Sequence, residues 1–124
     1  MAKILIIDDD QDIRDSVKMV LESTGYEVFA AAGVDEAKKI IHSESLDLIL
    51  LDIMMESPDG GIVFAHQLKK EGNSVPIVML SGVSQVTGYE YGKCDEVLPC
   101  ADFLEKPITP EELVNKVKQV LGNE

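Results

Sequence analysis

The sequence is short of positive charge: 11 lysines and arginines stand against 23 aspartates and glutamates, for a net charge of −12. Such a surface repels phosphate backbones and anionic lipid headgroups, so neither nucleic acid nor a membrane is expected as a direct partner. Cysteine is nearly missing. Cys94 and Cys100 are the only two, too few for a disulfide framework, and they read as thiols in a reducing compartment. No apolar run is long enough to span a bilayer, and Met1-Ala2-Lys3 leads into an apolar strand with no cleavage signature, which together point to a cytoplasmic protein. Heptads, internal repeats and low-complexity stretches are absent, which excludes coiled coils, solenoids and disorder. The G-x-x-x-x-G-K-[ST] loop of a nucleotide-binding GTPase is absent too.

What is present is one domain's worth of chain, 124 residues of which 45% are hydrophobic. A domain of this size buries roughly two-thirds of its unfolded surface and needs no staple to fold. Short apolar runs stop at polar residues: KILII from Lys3 to Ile7, LDLILL from Leu46 to Leu51, and VPIVML from Val75 to Leu80. These fit strands of a parallel sheet covered on both faces. Glu27 to Ala31 and Ala101 to Glu105 are weaker strand candidates.

Helical stripes lie between the strands. Ile13, Val17, Val20 and Leu21 share one helix face, closed by Gly25. Val34, Ala37, Ile40 and Ile41 form a second stripe. Ile62 to Lys70 is a third helix, ended by Gly72-Asn73. The last helix has the clearest start: Thr109 can cap, Pro110 fits the first turn and Glu112 occupies the capping-box position. Its stripe is Leu113, Val117, Val120 and Leu121. Five β-α units predict an α/β three-layer fold with a parallel five-stranded sheet, occupying residues 1–124 as a single domain.

In such open sheets a ligand binds at the carboxyl ends of the strands. There the sequence places Asp8-Asp9-Asp10, Asp52, Ser81 and Lys106-Pro107, on four different strands. Converging carboxylates repel one another, and a hard divalent cation with room for water, such as Mg²⁺, relieves that repulsion. A carboxylate can attack a phosphoryl donor to form an aspartyl phosphate. Charge on the phosphoryl oxygens would be met by the metal, by Lys106 and by the Ser81 hydroxyl. Taken singly, each residue has a plainer reading. Asp10 reads as a helix cap, Ser81-Gly82 as a turn and Lys106-Pro107 as a loop. His42 and His66 read as surface residues and Met55 as core packing. Tyr89 and Tyr91 are expected to be partly exposed.

These residues closely resemble the bacterial response-regulator receiver family. The stretches ILIIDDDQDIR, DLILLDIMM with its Gly60, VMLSG and FLEKP carry the resemblance, which covers Lys3 to Leu121. It implies the flavodoxin-like (βα)5 fold with strand order 2-1-3-4-5. It implies that Asp52 is the phospho-acceptor, with Asp9, Asp52 and the backbone carbonyl of Met54 binding Mg²⁺ directly and Asp8 holding it through water; Mn²⁺ could substitute. Ser81 and Phe103 would form the switch pair, Lys106 would contact the phosphoryl group, and the bond before Pro107 would be cis. The donor would be a phosphohistidine on a sensor histidine kinase or phosphotransfer protein. The readout face would comprise the fourth helix, fifth strand and fifth helix, signalling to an output domain or target protein. The only reaction catalysed would be the domain's own Asp phosphorylation and dephosphorylation.

Three departures from the family pattern bear on function. Glu56 stands where the family carries a proline, adding an acid near the site. The stretch from Ser81 to Lys106 is longer than usual and holds Gly88, Gly92, Pro99 and Cys100, so its helix is expected to be short, irregular or mobile. Met54 and Val83 offer no polar side chain to orient water, so self-dephosphorylation is expected to be slow. Among rivals, a haloacid-dehalogenase-like phosphatase lacks its final motif residue and a cap domain. A flavodoxin-like carrier lacks its phosphate loop. A phosphorylation-independent receiver-like binding module would be expected to have lost an acid, the hydroxyl or the lysine.

Overall fold

In a computed structural model, residues 2–52, 60–82, 102–106 and 108–122 are described. They form β1 (Lys3–Ile7), α1 (Gln11–Ser23), β2 (Glu27–Ala31), α2 (Val34–Ser43), β3 (Leu48–Asp52), α3 (Gly60–Lys70), β4 (Ile77–Gly82), β5 (Asp102–Lys106) and α4 (Pro110–Leu121). All strand pairings are parallel. The sheet order is β2-β1-β3-β4-β5, the order the resemblance implied. The helix expected between β4 and β5 falls on residues outside those described, so α4 here is the capped helix expected after β5.

The alternating pleat divides the apolar strand residues between two cores. Ile4, Ile6, Leu48 and Leu50 pack with Val17 and Leu21 of α1 and Leu113 and Val117 of α4. Leu5, Ile7, Ile49 and Leu51 pack with Ala37 of α2 and Phe64, Ala65 and Leu68 of α3. Both faces of β1 and β3 are therefore dry, which is why their sequences are continuously apolar rather than alternating. Each such Leu or Ile contributes roughly 1.5–3 kcal/mol through burial.

The helix ends are set by local chemistry. Beyond α1, Gly25 takes φ 101°, its N–H donates to the Glu22 carbonyl, and that of Tyr26 donates to Leu21. Gly72, at φ 85°, and Asn73 close α3 in the same way on Lys69 and Leu68. Both are Schellman closures, which require a left-handed residue. At α4 the Thr109 hydroxyl accepts from the Glu112 N–H at 3.1 Å, and the Glu112 carboxylate accepts from the Thr109 N–H at 3.3 Å. The expected capping box is thus formed.

Some boundaries move from their expected places. β3 starts at Leu48 rather than Leu46, and β4 at Ile77 rather than Val75. Pro76 has no N–H to give a ladder, and only its carbonyl takes part, accepting from Ile49. The same strands run further at their other ends, so Asp52, Ser81 and Lys106 belong to β3, β4 and β5. α3 begins two residues before the expected Ile62.

Candidate functional site

The site grows from the turn between β1 and α1, where three consecutive acids take three different places. Asp8 continues the pairing of β1 by donating its N–H to the Ala31 carbonyl. Its carboxylate Oδ1 accepts from the Asp10 N–H at 2.9 Å, closing an Asx-type turn. Asp10 has the capping role expected of it, its Oδ1 accepting from the Asp12 N–H at 2.9 Å. Asp9 lies between them and is exposed. The chain thus passes from strand to helix in three residues, and the acids near the α1 N-terminus meet its partial positive charge.

Asp52 is the last residue of β3, the strand beside β1. One carboxylate oxygen from each of Asp8, Asp9 and Asp52 lies within 4.8 Å of the others. Asp8 is 0% exposed and Asp52 4%. They are the two polar residues buried among the described residues. Acids of one sign buried this close carry desolvation and mutual repulsion together. An all-oxygen donor set, two members buried and one open to solvent, suits a hard cation that retains water. Asp8, Asp9 and Asp52 therefore fit the Mg²⁺ that the sequence suggests.

The remaining positions converge at the same sheet edge through strand register. Asp52 pairs with Leu80. One step on, Ser81 pairs with Glu105 and Gly82 with Lys106. The backbones of Ser81 and Lys106 thus stand at the carboxyl ends of β4 and β5, next in order to Asp52. Phe103 lies earlier on β5, opposite Met79. Met54, Met55, Glu56 and Pro107 lie outside the described residues. So do Tyr89, Tyr91, Cys94, Cys100 and all but the ends of the stretch from Ser81 to Lys106 expected to hold a short, irregular or mobile helix. His42 and His66 are exposed, as read from the sequence.

One residue near the site went unassigned in the sequence. Arg14, half-buried on α1, donates from Nη1 to the backbone carbonyl of Asp8 at 2.8 Å. Only the six-residue offset hints at it: a long side chain in the first turns of a helix can reach back to the loop that precedes it.

Comparison with known proteins bears on what this arrangement belongs to. The family model for the response regulator receiver domain matches residues 4–118. A probable transcriptional regulator ycf27 of Porphyridium aerugineum is 39% identical over 123 residues, covering 96% of this chain and 48% of the relative. That of Cyanidium caldarium is 37% identical over 122 residues, covering 95% and 45%. The chain spans about half the length of these curated relatives. Among solved structures, the receiver domain of NtrX from Brucella abortus is 29% identical with a TM-score of 0.79, covering 98% of this chain and 99% of that one. The Francisella response regulator 1452 receiver domain is 28% identical with a TM-score of 0.83, covering 98% of each. No helix among the described residues is long and apolar enough to cross a membrane.

Proposed function

The chain belongs to the response regulator receiver domain family, and from that premise we propose that it accepts a phosphoryl group on Asp52 and changes its surface in response. The observation that carries this reading is the meeting of the Asp8, Asp9 and Asp52 carboxylates at the carboxyl edge of the sheet. Asp9, Asp52 and the Met54 carbonyl would hold Mg²⁺, or Mn²⁺ in its place, with Asp8 holding it through water. The ion would neutralise the acids and bind phosphoryl oxygens in its open positions.

The donor is a phosphohistidine of a sensor histidine kinase or a phosphotransfer protein. An Asp52 oxygen forms the new P–O bond as the P–N bond to the donor imidazole breaks, and the released nitrogen takes a proton from water. Lys106 pairs with one phosphoryl oxygen and the Ser81 hydroxyl donates to another. Movement of Ser81 toward the phosphoryl group, coupled to an inward turn of Phe103, changes the face formed by the segment before β5, by β5 and by α4. That face then signals to an attached output domain or a target protein in the cytoplasm. The domain occupies residues 1–124, and its own dephosphorylation is slow.

Intact mass after incubation with acetyl phosphate tests the reading, with Mg²⁺ or with EDTA, on wild type and Asp52→Ala. The expected result is a gain of one phosphoryl group that requires both Mg²⁺ and Asp52. No gain under any condition would leave a phosphorylation-independent binding module as the better reading.

A further inference from the structure

Asp8 is fixed from three directions. Its N–H is bonded to the Ala31 carbonyl of β2, its Oδ1 accepts from Asp10, and its carbonyl accepts from the Arg14 guanidinium at 2.8 Å. The first two bonds fix the residue and its carboxylate. The third acts on a different group. The Asp8 carbonyl belongs to the peptide that joins Asp8 to Asp9, so holding this oxygen sets the plane from which the Asp9 backbone leaves. Asp9 is the exposed member of the acid trio and has no burial to confine it.

We propose that Arg14 is a positioning residue for the metal site: by fixing the Asp8–Asp9 peptide it holds the Asp9 carboxylate against the buried pair of Asp8 and Asp52. The inference rests on the metal-binding reading above. It also makes a prediction of sign. The Arg14 charge by itself opposes a divalent cation nearby. Its hydrogen bond favours one, because ligands already placed need not be ordered when the ion arrives. Removing Arg14 therefore tightens binding if only its field matters and weakens binding if its hydrogen bond governs.

The experiment measures Mn²⁺ affinity by electron paramagnetic resonance for wild type, Arg14→Met and Arg14→Lys, with thermal unfolding in EDTA as the control for folding. Arg14→Met is expected to weaken Mn²⁺ binding by about tenfold, the usual effect of losing a group that orients a ligand. Arg14→Lys, which keeps both the charge and a donor, recovers most of that loss. A merely structural role would lower the metal-free melting temperature without this split between the two variants. Should Arg14→Met not fold, Arg14→Gln replaces it, neutral but too short to span the gap, with the same weakening expected. Binding equal to or tighter than wild type in the neutral variant overturns the proposal. A wild type that binds no Mn²⁺ overturns the metal reading itself, and with it the proposal, which is a different result from equal binding by wild type and variant.

Discussion

The two ends of β1 handle charge in opposite ways. At the amino end, Lys3 donates its backbone N–H to Asp47 Oδ2 at 2.8 Å, and its carbonyl accepts from the Asp47 N–H at 2.7 Å. Its ammonium meets Glu44 Oε1 at 3.1 Å, with both side chains about a third exposed. Opposite charges face each other there, and water reaches them. At the carboxyl end, five residues on, Asp8 and Asp52 are buried with the same sign of charge. Both ends lie on the same neighbouring strands, β1 and β3, in one continuous register. Fold geometry therefore does not force the acids together. The amino end follows the rules of stability, and the carboxyl end departs from them at the acid cluster where we propose that a metal binds.

The sharpest way to break this contrast is to remove a charge from the carboxyl end. Asp8→Asn keeps an oxygen for the Asp10 N–H and relieves the repulsion. In EDTA it is expected to be more stable than wild type by about 1 kcal/mol in urea unfolding, a usual gain when a functional site is relaxed. Saturating Mg²⁺ should reverse the ranking. An ion bound only by the folded protein stabilises it by about 2.7 kcal/mol at a hundredfold excess over its dissociation constant, and Asp8→Asn should lose most of that gain. If Asp8→Asn were less stable in EDTA, Asp8 would be a structural acid and the two ends would not differ in kind.

A second effect, smaller than the Mg²⁺-dependent change and confined to the amino end, tests the other half of the contrast. Gly25, in the turn from α1 to β2, has φ 101°, and a Cβ built on it meets nothing within 4 Å. Gly25→Ala should therefore cost only backbone strain, about 1–2 kcal/mol for a left-handed L-residue. Mn²⁺ affinity should be unchanged. A drop in affinity equal to that of Arg14→Met would mean that the two ends are coupled through α1.

Much of this layout is legible in the sequence, and the reasons are local. KILII is apolar at every position because both faces of β1 are covered, and Thr109, Pro110 and Glu112 carry a helix start within four residues. Asp10 reads as a cap because capping needs only the next two residues. What could not be read depends on groups far apart in the chain. The start of β4 at Ile77 depends on which residues find ladder partners, although Val75 and Pro76 continue the apolar run. The convergence of Asp8, Asp9 and Asp52 follows from the strand-end rule, but their unequal burial does not. That Arg14 reaches the Asp8 carbonyl depends on the angle at which α1 leaves the turn, and residue type alone does not specify it.

The smallest effect belongs to the Lys3 pair. The hydrogen bond and charge of Glu44 raise the Lys3 ammonium above its ordinary value of 10.5. A raised pKa means the folded state holds the proton more tightly than the unfolded chain. The resulting stabilisation is fully present below 10.5 and is lost as pH rises through the higher folded value. Exposed pairs of this kind are screened and contribute little. Lys3→Met should therefore lower the melting temperature only slightly at neutral pH, with the deficit shrinking in high salt and vanishing once the pH passes well above 10.5. Since Asp8 and Asp52 lie at the opposite, carboxyl end of the strands, Mn²⁺ affinity should not follow. A melting deficit that persists at high pH and high salt would show that the stem of Lys3 packs and its charge is incidental, so that the amino end would owe its stability to apolar contact and to the backbone bonds with Asp47.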